Sequence, residues 1–239
     1  MARRPAKKPA APKRKAASGK TAGSKTTTGA AATAHGDVGA ALRAALLAEM
    51  ATLGWRHLTF SDIVAASGVP LAEAYRIYQS KMGVLLGVVG ASDRALLEGL
   101  DLEPLDGSPR DRLFDLIMRR FDLHGEHKAA FSALLRDLRH HPLEALCLTA
   151  RVERSMALLL DLAGVPSSGL RGLLRAKALA ALYLHVFGRW LKDESDDSAA
   201  TMALLDKRLE QVERTLGFIH RVRPHHRGAE DPGEAASAH

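Results

Sequence analysis

Between Val38 and Leu53 the apolar side chains fall at Leu42, Ala45, Leu46, Met50 and Leu53, the spacing that lines one face of an α-helix. Asp37 can cap the start of this helix and Gly54 ends it. The same periodicity predicts helices over 58–68, 70–78 and 81 to about 100. Pro104 to Gly107 breaks the pattern. Ser108-Pro109-Arg110-Asp111 restarts it, with a serine cap, a proline in the first turn and an acid three residues after the cap. That helix is predicted to run to about His124, followed by helices over 126–140, from Pro142 to before Gly164, over 168–190 and over 199–220. The last carries Met202, Leu205, Leu209, Val212, Leu216 and Ile219 as one apolar stripe. No segment alternates as a strand would, so the expected fold class is all-α, with about nine helices.

Composition supports this reading. Apolar residues make up 46% of the chain but aromatics only 5%, and alanine and leucine fill helices at little entropic cost. Residues 1–36 contain no large apolar side chain beyond Met1 and are expected to be disordered, as is the Pro-, Gly- and His-rich stretch 221–239. Charge is concentrated in the first of these tails, with nine Lys/Arg and no acid before Gly36. The other 25 basic and 27 acidic residues leave the rest at −2, so the net +7 belongs to the tail. Such a tail either adds sequence-independent attraction to phosphates or merely solubilises. Ser18 to Thr28 (SGKTAGSKTTT) imitates a phosphate loop, but Arg14 stands where its first glycine is required and no strand precedes it.

Cys147 is the only cysteine, which excludes an intrachain disulfide and a paired-cysteine metal site, and it reads as a small core residue. The start of the chain lacks the apolar core of a secretory signal. The most apolar run, Ala178 to Leu191, is too short for a bilayer and contains His185 and Arg189. A cytoplasmic protein without a transmembrane segment is expected. No H-E-x-x-H, G-x-S-x-G or dinucleotide loop is present, so no enzyme, cofactor or metal is expected.

The most informative stretch is TFSDIVAASGVPLAEAYRIYQSK, Thr59 to Lys81. Two helices too short to be stable alone are joined by Ser67-Gly68-Val69, so both must pack on their neighbours. Gly68 permits the sharp turn, Val69 plugs the gap, and Phe60, Ile63, Val64, Ala74 and Ile77 supply a small common core. A second helix set across a first in this way can enter a DNA major groove.

Residues 38–90 resemble the N-terminal domain of TetR-type transcriptional regulators, whose pattern reads approximately T-x-x-x-I-A-x-x-A-G-V-S-x-x-x-x-Y-x-x-F-x-x-K-x-x-L. The matches are Thr59, Ile63, Gly68, Val69, Tyr75 and Lys81, with Leu85 just beyond and Tyr78 for the second aromatic. The resemblance implies that Thr59 caps the second helix and donates to a phosphate. Leu71, Ala72, Glu73 and Arg76 would face the groove, Tyr75 would lie on the backbone, and Lys81 would hold a phosphate at the next helix start. Pro70 departs from the family's serine and removes a side-chain cap. Glu73 sets an acid beside the phosphates, and Gly83, Gly87 and Gly90 cost about 1 kcal/mol each unless they permit close packing. Double-stranded DNA is the implied partner, and residues 37–90 the implied DNA-binding domain.

For residues 91–220 the resemblance implies a helical effector-binding and dimerisation domain, a homodimer, an unidentified small-molecule or lipid effector, and a repressor working on the nucleoid. His185 and Arg189, one turn apart, are candidate ligand-binding residues; the other reading is a core histidine beside a dimer-facing arginine. A weaker resemblance joins Trp190–Asp197 (WLKDESDD) and Leu204–Leu209 to the TetR-fold lipid-binding protein of coenzyme Q biosynthesis. The chain then runs into Arg221-Val-Arg-Pro-His-His, which lacks that family's membrane-facing apolar helix. The pairs His124/His127 and His140/His141 read as solvent-facing or helix-end histidines rather than metal ligands.

Overall fold

The computed structural model describes the backbone of residues 27–195 and 197–216 and the side chains of 37–195 and 197–214. The expectations for residues 1–26 and 217–239 lie outside the described residues. The described chain is all-helical: α1 Thr27–Leu53, α2 Phe60–Ser67, α3 Leu71–Ile77, α4 Lys81–Leu102, α5 Pro109–Asp122, α6 Lys128–Leu138, α7 Pro142–Leu162, α8 Gly169–Trp190 and α9 Ala199–Leu216. A 3-10 turn, Gly125–His127, precedes α6.

Two boundaries differ from the sequence reading. Helix α1 begins at Thr27, not after Asp37. Residues 29–34, GAAATA, are mostly alanine, and once a helix is nucleated, adding alanines costs almost nothing. The helix expected over 126–140 is split, because Gly125 is a poor helix former and the α6 start has no side-chain cap, leaving a tighter turn in front of it. The Asp37 cap is not used, since α1 runs through it, but the signal at Ser108 is realised. Ser108 Oγ accepts from Asp111 N at 3.3 Å while Asp111 Oδ2 accepts from Ser108 N at 3.0 Å, and Pro109 occupies the first turn.

Helix α1 packs on α2, α3, α4 and α6, whereas α5 runs among α4, α7, α8 and α9. One continuous core extends from Leu42 of α1 to Leu209 of α9. Helix α4 passes through residue 90 without interruption, so the segment expected to read DNA and the body behind it share a rigid element. At the far end Phe121 stacks on Trp190 and Tyr183, with ring centroids 5.2 and 5.6 Å apart. Lys128 Nζ lies over the Trp190 ring and donates to the Asp193 carbonyl at 2.8 Å. The Asp193 carboxylate accepts from Ser195 and Thr201, bonds that hold it far below the usual carboxylate range and pin the loop before α9. The Trp190–Asp193 segment thus has a structural occupation here.

Cys147 is exposed, not in the core. The inward stripe of α7 runs through Val152, Ser155, Met156 and Leu159, and Cys147 falls to one side of it beside the exposed Leu143 and Leu146.

Candidate nucleic-acid interface and internal polar cluster

Helix α2 is fixed by a reciprocal cap. Thr59 Oγ1 accepts from Asp62 N at 3.2 Å, and Asp62 Oδ2 accepts from Thr59 N at 2.9 Å and from the Thr59 hydroxyl at 2.7 Å. These bonds from Thr59 hold the Asp62 carboxyl below its ordinary pKa. Thr59 is therefore the cap the resemblance implies, but its hydroxyl proton is already given to Asp62. Gly68 ends α2 at φ 67°; a Cβ there would meet nothing, so glycine is required by the left-handed backbone and not by space. Pro70 opens α3 with no side-chain cap, as expected.

Helix α3 has a sharply divided surface. Ala74 is fully buried and Ile77 half-buried, while Leu71, Ala72, Glu73, Tyr75 and Arg76 are all exposed, Leu71 at 60% and Tyr75 at 58%. An alanine at the contact lets this short helix sit close on α1, and the large side chains are left facing outward. All five residues assigned to the groove or backbone thus share one outward-facing surface.

Lys81 is placed otherwise than the resemblance implies. Its ammonium turns inward, donating to the carbonyls of Trp55 at 3.0 Å and Leu58 at 3.1 Å, and lies 4.5 Å from the centre of the Trp55 ring. Two carbonyls of the α1–α2 connection hold this ammonium, so Lys81 is a clamp between that connection and the start of α4. The sequence reading missed Trp55, whose signal was a lone tryptophan directly after the helix-ending Gly54. Its Nε1 donates to Glu144 of α7 at 2.6 Å, and next to it Arg56 N donates to Asp137 of α6 at 3.0 Å. The three-helix unit is thereby bolted to the body behind it. Tyr78 is half-buried and accepts from Arg43 Nη1 at 2.9 Å. A Cβ on Gly87 would meet its ring and hydroxyl at 2.3–2.7 Å, so this glycine does permit close packing.

No protein-family model and no curated protein matches the chain. Solved structures do. A TetR transcriptional regulator from Nitrosomonas europaea superposes with a TM-score of 0.58 at 22% identity, over 72% of this chain and 96% of the other. One from Rhodococcus sp. RHA1 gives 0.52 at 17% identity, over 75% and 97%. The chain has the TetR-regulator fold.

Within the body of this TetR fold, His185 and Arg189 are one turn apart, but both are exposed and neither lines a described cavity. The buried face of α8 is taken by Leu182, Tyr183, Val186, Phe187 and Trp190, leaving His185 on the outside, with Nε2 3.5 Å from Arg208 Nη2. The buried polar groups are elsewhere. Asp93 of α4 accepts from Arg120 of α5 at 2.8 Å, from Arg151 of α7 at 2.6 Å and from the Ser155 hydroxyl. Burial alone would raise the Asp93 pKa, but the Arg120 charge and these hydrogen bonds more than reverse it and hold the carboxyl below its ordinary value. The available signal was spacing: Leu113, Leu116, Ile117, Arg120 and His124 lie on one stripe, which carries Arg120 and His124 inward.

His124 is a core histidine, contrary to the solvent-facing reading. Its Nε2 is 3.1 Å from Ser92 Oγ and its ring meets Phe131 edge-on. Burial first, then the charge of Arg120, push its pKa down to about 3. The native state thus keeps His124 neutral, whereas the unfolded chain protonates it below about 6.5. Stability from this group is complete above that value and falls with acidification until pH 3. We expect a loss on the order of 1–2 kcal/mol between about pH 6.5 and 5, measured by urea unfolding, and a flatter profile in His124→Asn. Equal slopes in both proteins would show that His124 is not held neutral.

Proposed function

We propose that this protein is a sequence-specific DNA-binding transcriptional regulator, a ligand-responsive repressor acting as a cytoplasmic homodimer without enzymatic activity. The observation that carries the reading is the divided surface of α3. Its outward face presents Leu71, Ala72, Glu73, Tyr75 and Arg76 together, on the second helix of a turn held by Gly68 and the Thr59–Asp62 cap. A helix so mounted fits the major groove, with Arg76 able to bond a guanine edge and Glu73 a cytosine amino group. Residues 37–90 are the proposed DNA-binding domain and 91–220 the effector and dimerisation domain. The start of α8, where Leu170, Leu173 and Leu174 are exposed, favours pairing of two copies. Two reading heads then meet half-sites about 34–36 Å apart, and an effector favouring another spacing releases the DNA.

The division of labour along the chain gives the test. With the full chain and a selected operator, Arg76→Ala should weaken specific binding by about 1–3 kcal/mol while leaving binding to scrambled duplex nearly unchanged. Fluorescence anisotropy on both duplexes measures this. Equal losses on the two would contradict a base-reading role for Arg76.

A further inference from the structure

We propose that the cavity beside Arg120 binds an organic carboxylate with an apolar body, whose anionic end competes with Asp93 for the Arg120 guanidinium. This names a chemical class for the effector and so rests on the ligand-responsive reading above. The cavity, of about 50 Å³, lies between α4 and α8. Its walls are apolar, from Val89 of α4 to Phe131 of α6 and Phe187 of α8, and only Arg120, His124 and Tyr183 break them. His124 is neutral. Tyr183 is kept as the phenol by burial, which raises its pKa, partly offset by the adjacent Arg120. Arg120 is therefore the one fixed charge on the wall.

That charge is incompletely answered. Arg120 is 2% exposed, and Nη1 serves Asp93 and Ser155. Nη2 reaches the Val89 carbonyl at 3.4 Å, and the guanidinium lies 5.7 Å from the centre of the Tyr183 ring and interacts with its hydroxyl, but the buried Nε–H has no acceptor. A buried, unpaired donor on a cation is among the costlier arrangements in a protein interior, and an oxygen acceptor relieves it. Charge points the same way, since two guanidiniums, Arg120 and Arg151, share the single Asp93 carboxylate. A second anion is favoured there, and a second cation is not.

The shape of the ligand follows from what adjoins the cavity. A groove of about 200 Å³ shares Val88 and His124 with it; Ala91, Ala95, Leu123 and Leu47 of α1 give it an apolar floor, and Arg43, Ser92 and His127 a polar rim. A carboxylate at Arg120 would pass its apolar tail by His124 into this groove. The ligand would then touch both partners of the α1–α4 contact. By drawing Arg120 from Asp93 it would loosen α4, the helix that starts at the Lys81 clamp immediately after α3.

The test is calorimetric titration of the full chain with octanoate, octanamide and octylamine, which share one tail and differ in the head. Octanoate should bind about tenfold more tightly than octanamide, and octylamine should not bind. Asp93→Asn, which removes the competing anion but keeps the side-chain shape, should tighten octanoate and leave octanamide unchanged. Octanamide binding as well as octanoate, no binding of octanoate, or a carboxylate preference unmoved by Asp93→Asn each overturns the proposal. The comparison of heads on the unaltered protein stands even if the variant fails to fold. Operator anisotropy repeated with octanoate separates the two readings: a carboxylate preference with unchanged DNA affinity upholds the ligand class and contradicts effector control.

Discussion

Asp93→Ala is expected to lower the stability of the fold by about 3–5 kcal/mol, the effect of leaving a buried cation without its partner. Arg120 is almost completely enclosed, and its carboxylate partner lies 27 residues away in sequence, on another helix. Arg151 can turn toward water, being one-fifth exposed, whereas Arg120 cannot. Because the folded-state pKa of Asp93 is lowered, its stabilising contribution is present above about 3.8 and is lost as pH falls through the folded value. Urea unfolding near neutral pH measures the substitution. The double change Asp93→Leu with Arg120→Met should recover much of the loss, since an apolar pair of similar volume removes both desolvation costs. A stability change below about 1 kcal/mol for Asp93→Ala alone would mean that Arg120 finds other partners.

A loss of similar size, about 3–5 kcal/mol, is expected for Trp55→Ala. The indole is fully buried, donates to Glu144 of α7 and lies beneath the Lys81 ammonium, so one truncation removes a core side chain, a hydrogen bond and the ring under that ammonium, while the backbone carbonyls of the clamp remain. Trp55→Phe separates these effects. It keeps most of the packing but leaves Glu144 without its donor, and should cost about 1–3 kcal/mol. Unfolding curves for the two variants check the order. If Trp55→Phe proved as damaging as Trp55→Ala, the bond to Glu144 and not burial would dominate the docking of α1–α3 onto the body.

What the sequence made legible is what is determined locally. The Ser108–Asp111 cap, the turn at Gly68 and the apolar stripe of α9 each involve residues within a few positions of one another. The exposed face of α3 was also readable, because a seven-residue helix with Ala74 at its contact can bury little else. Side-chain direction over longer separations was not readable. The family pattern implies a Lys81 that reaches a phosphate, yet two carbonyls more than twenty residues earlier hold its ammonium inward. Asp93, Arg120 and Arg151 are ordinary charged residues until three helices bring them together. His185 and Arg189 belong to an apolar helix, but the side of α8 that carries them faces out. The early start of α1 turned on alanine's helix propensity outweighing the polar, glycine-containing composition of the tail.

Selection from a pool of random-sequence duplexes with the 239-residue chain, followed by anisotropy on the enriched site across a salt series, decides whether this protein reads DNA sequence. The expected result is an enriched palindrome with half-sites about one helical turn apart, bound more tightly than its scrambled counterpart by about 4 kcal/mol or more, a gap that persists as salt rises. A pool with no enriched sequence, together with equal affinity for both duplexes at every salt concentration, would contradict it.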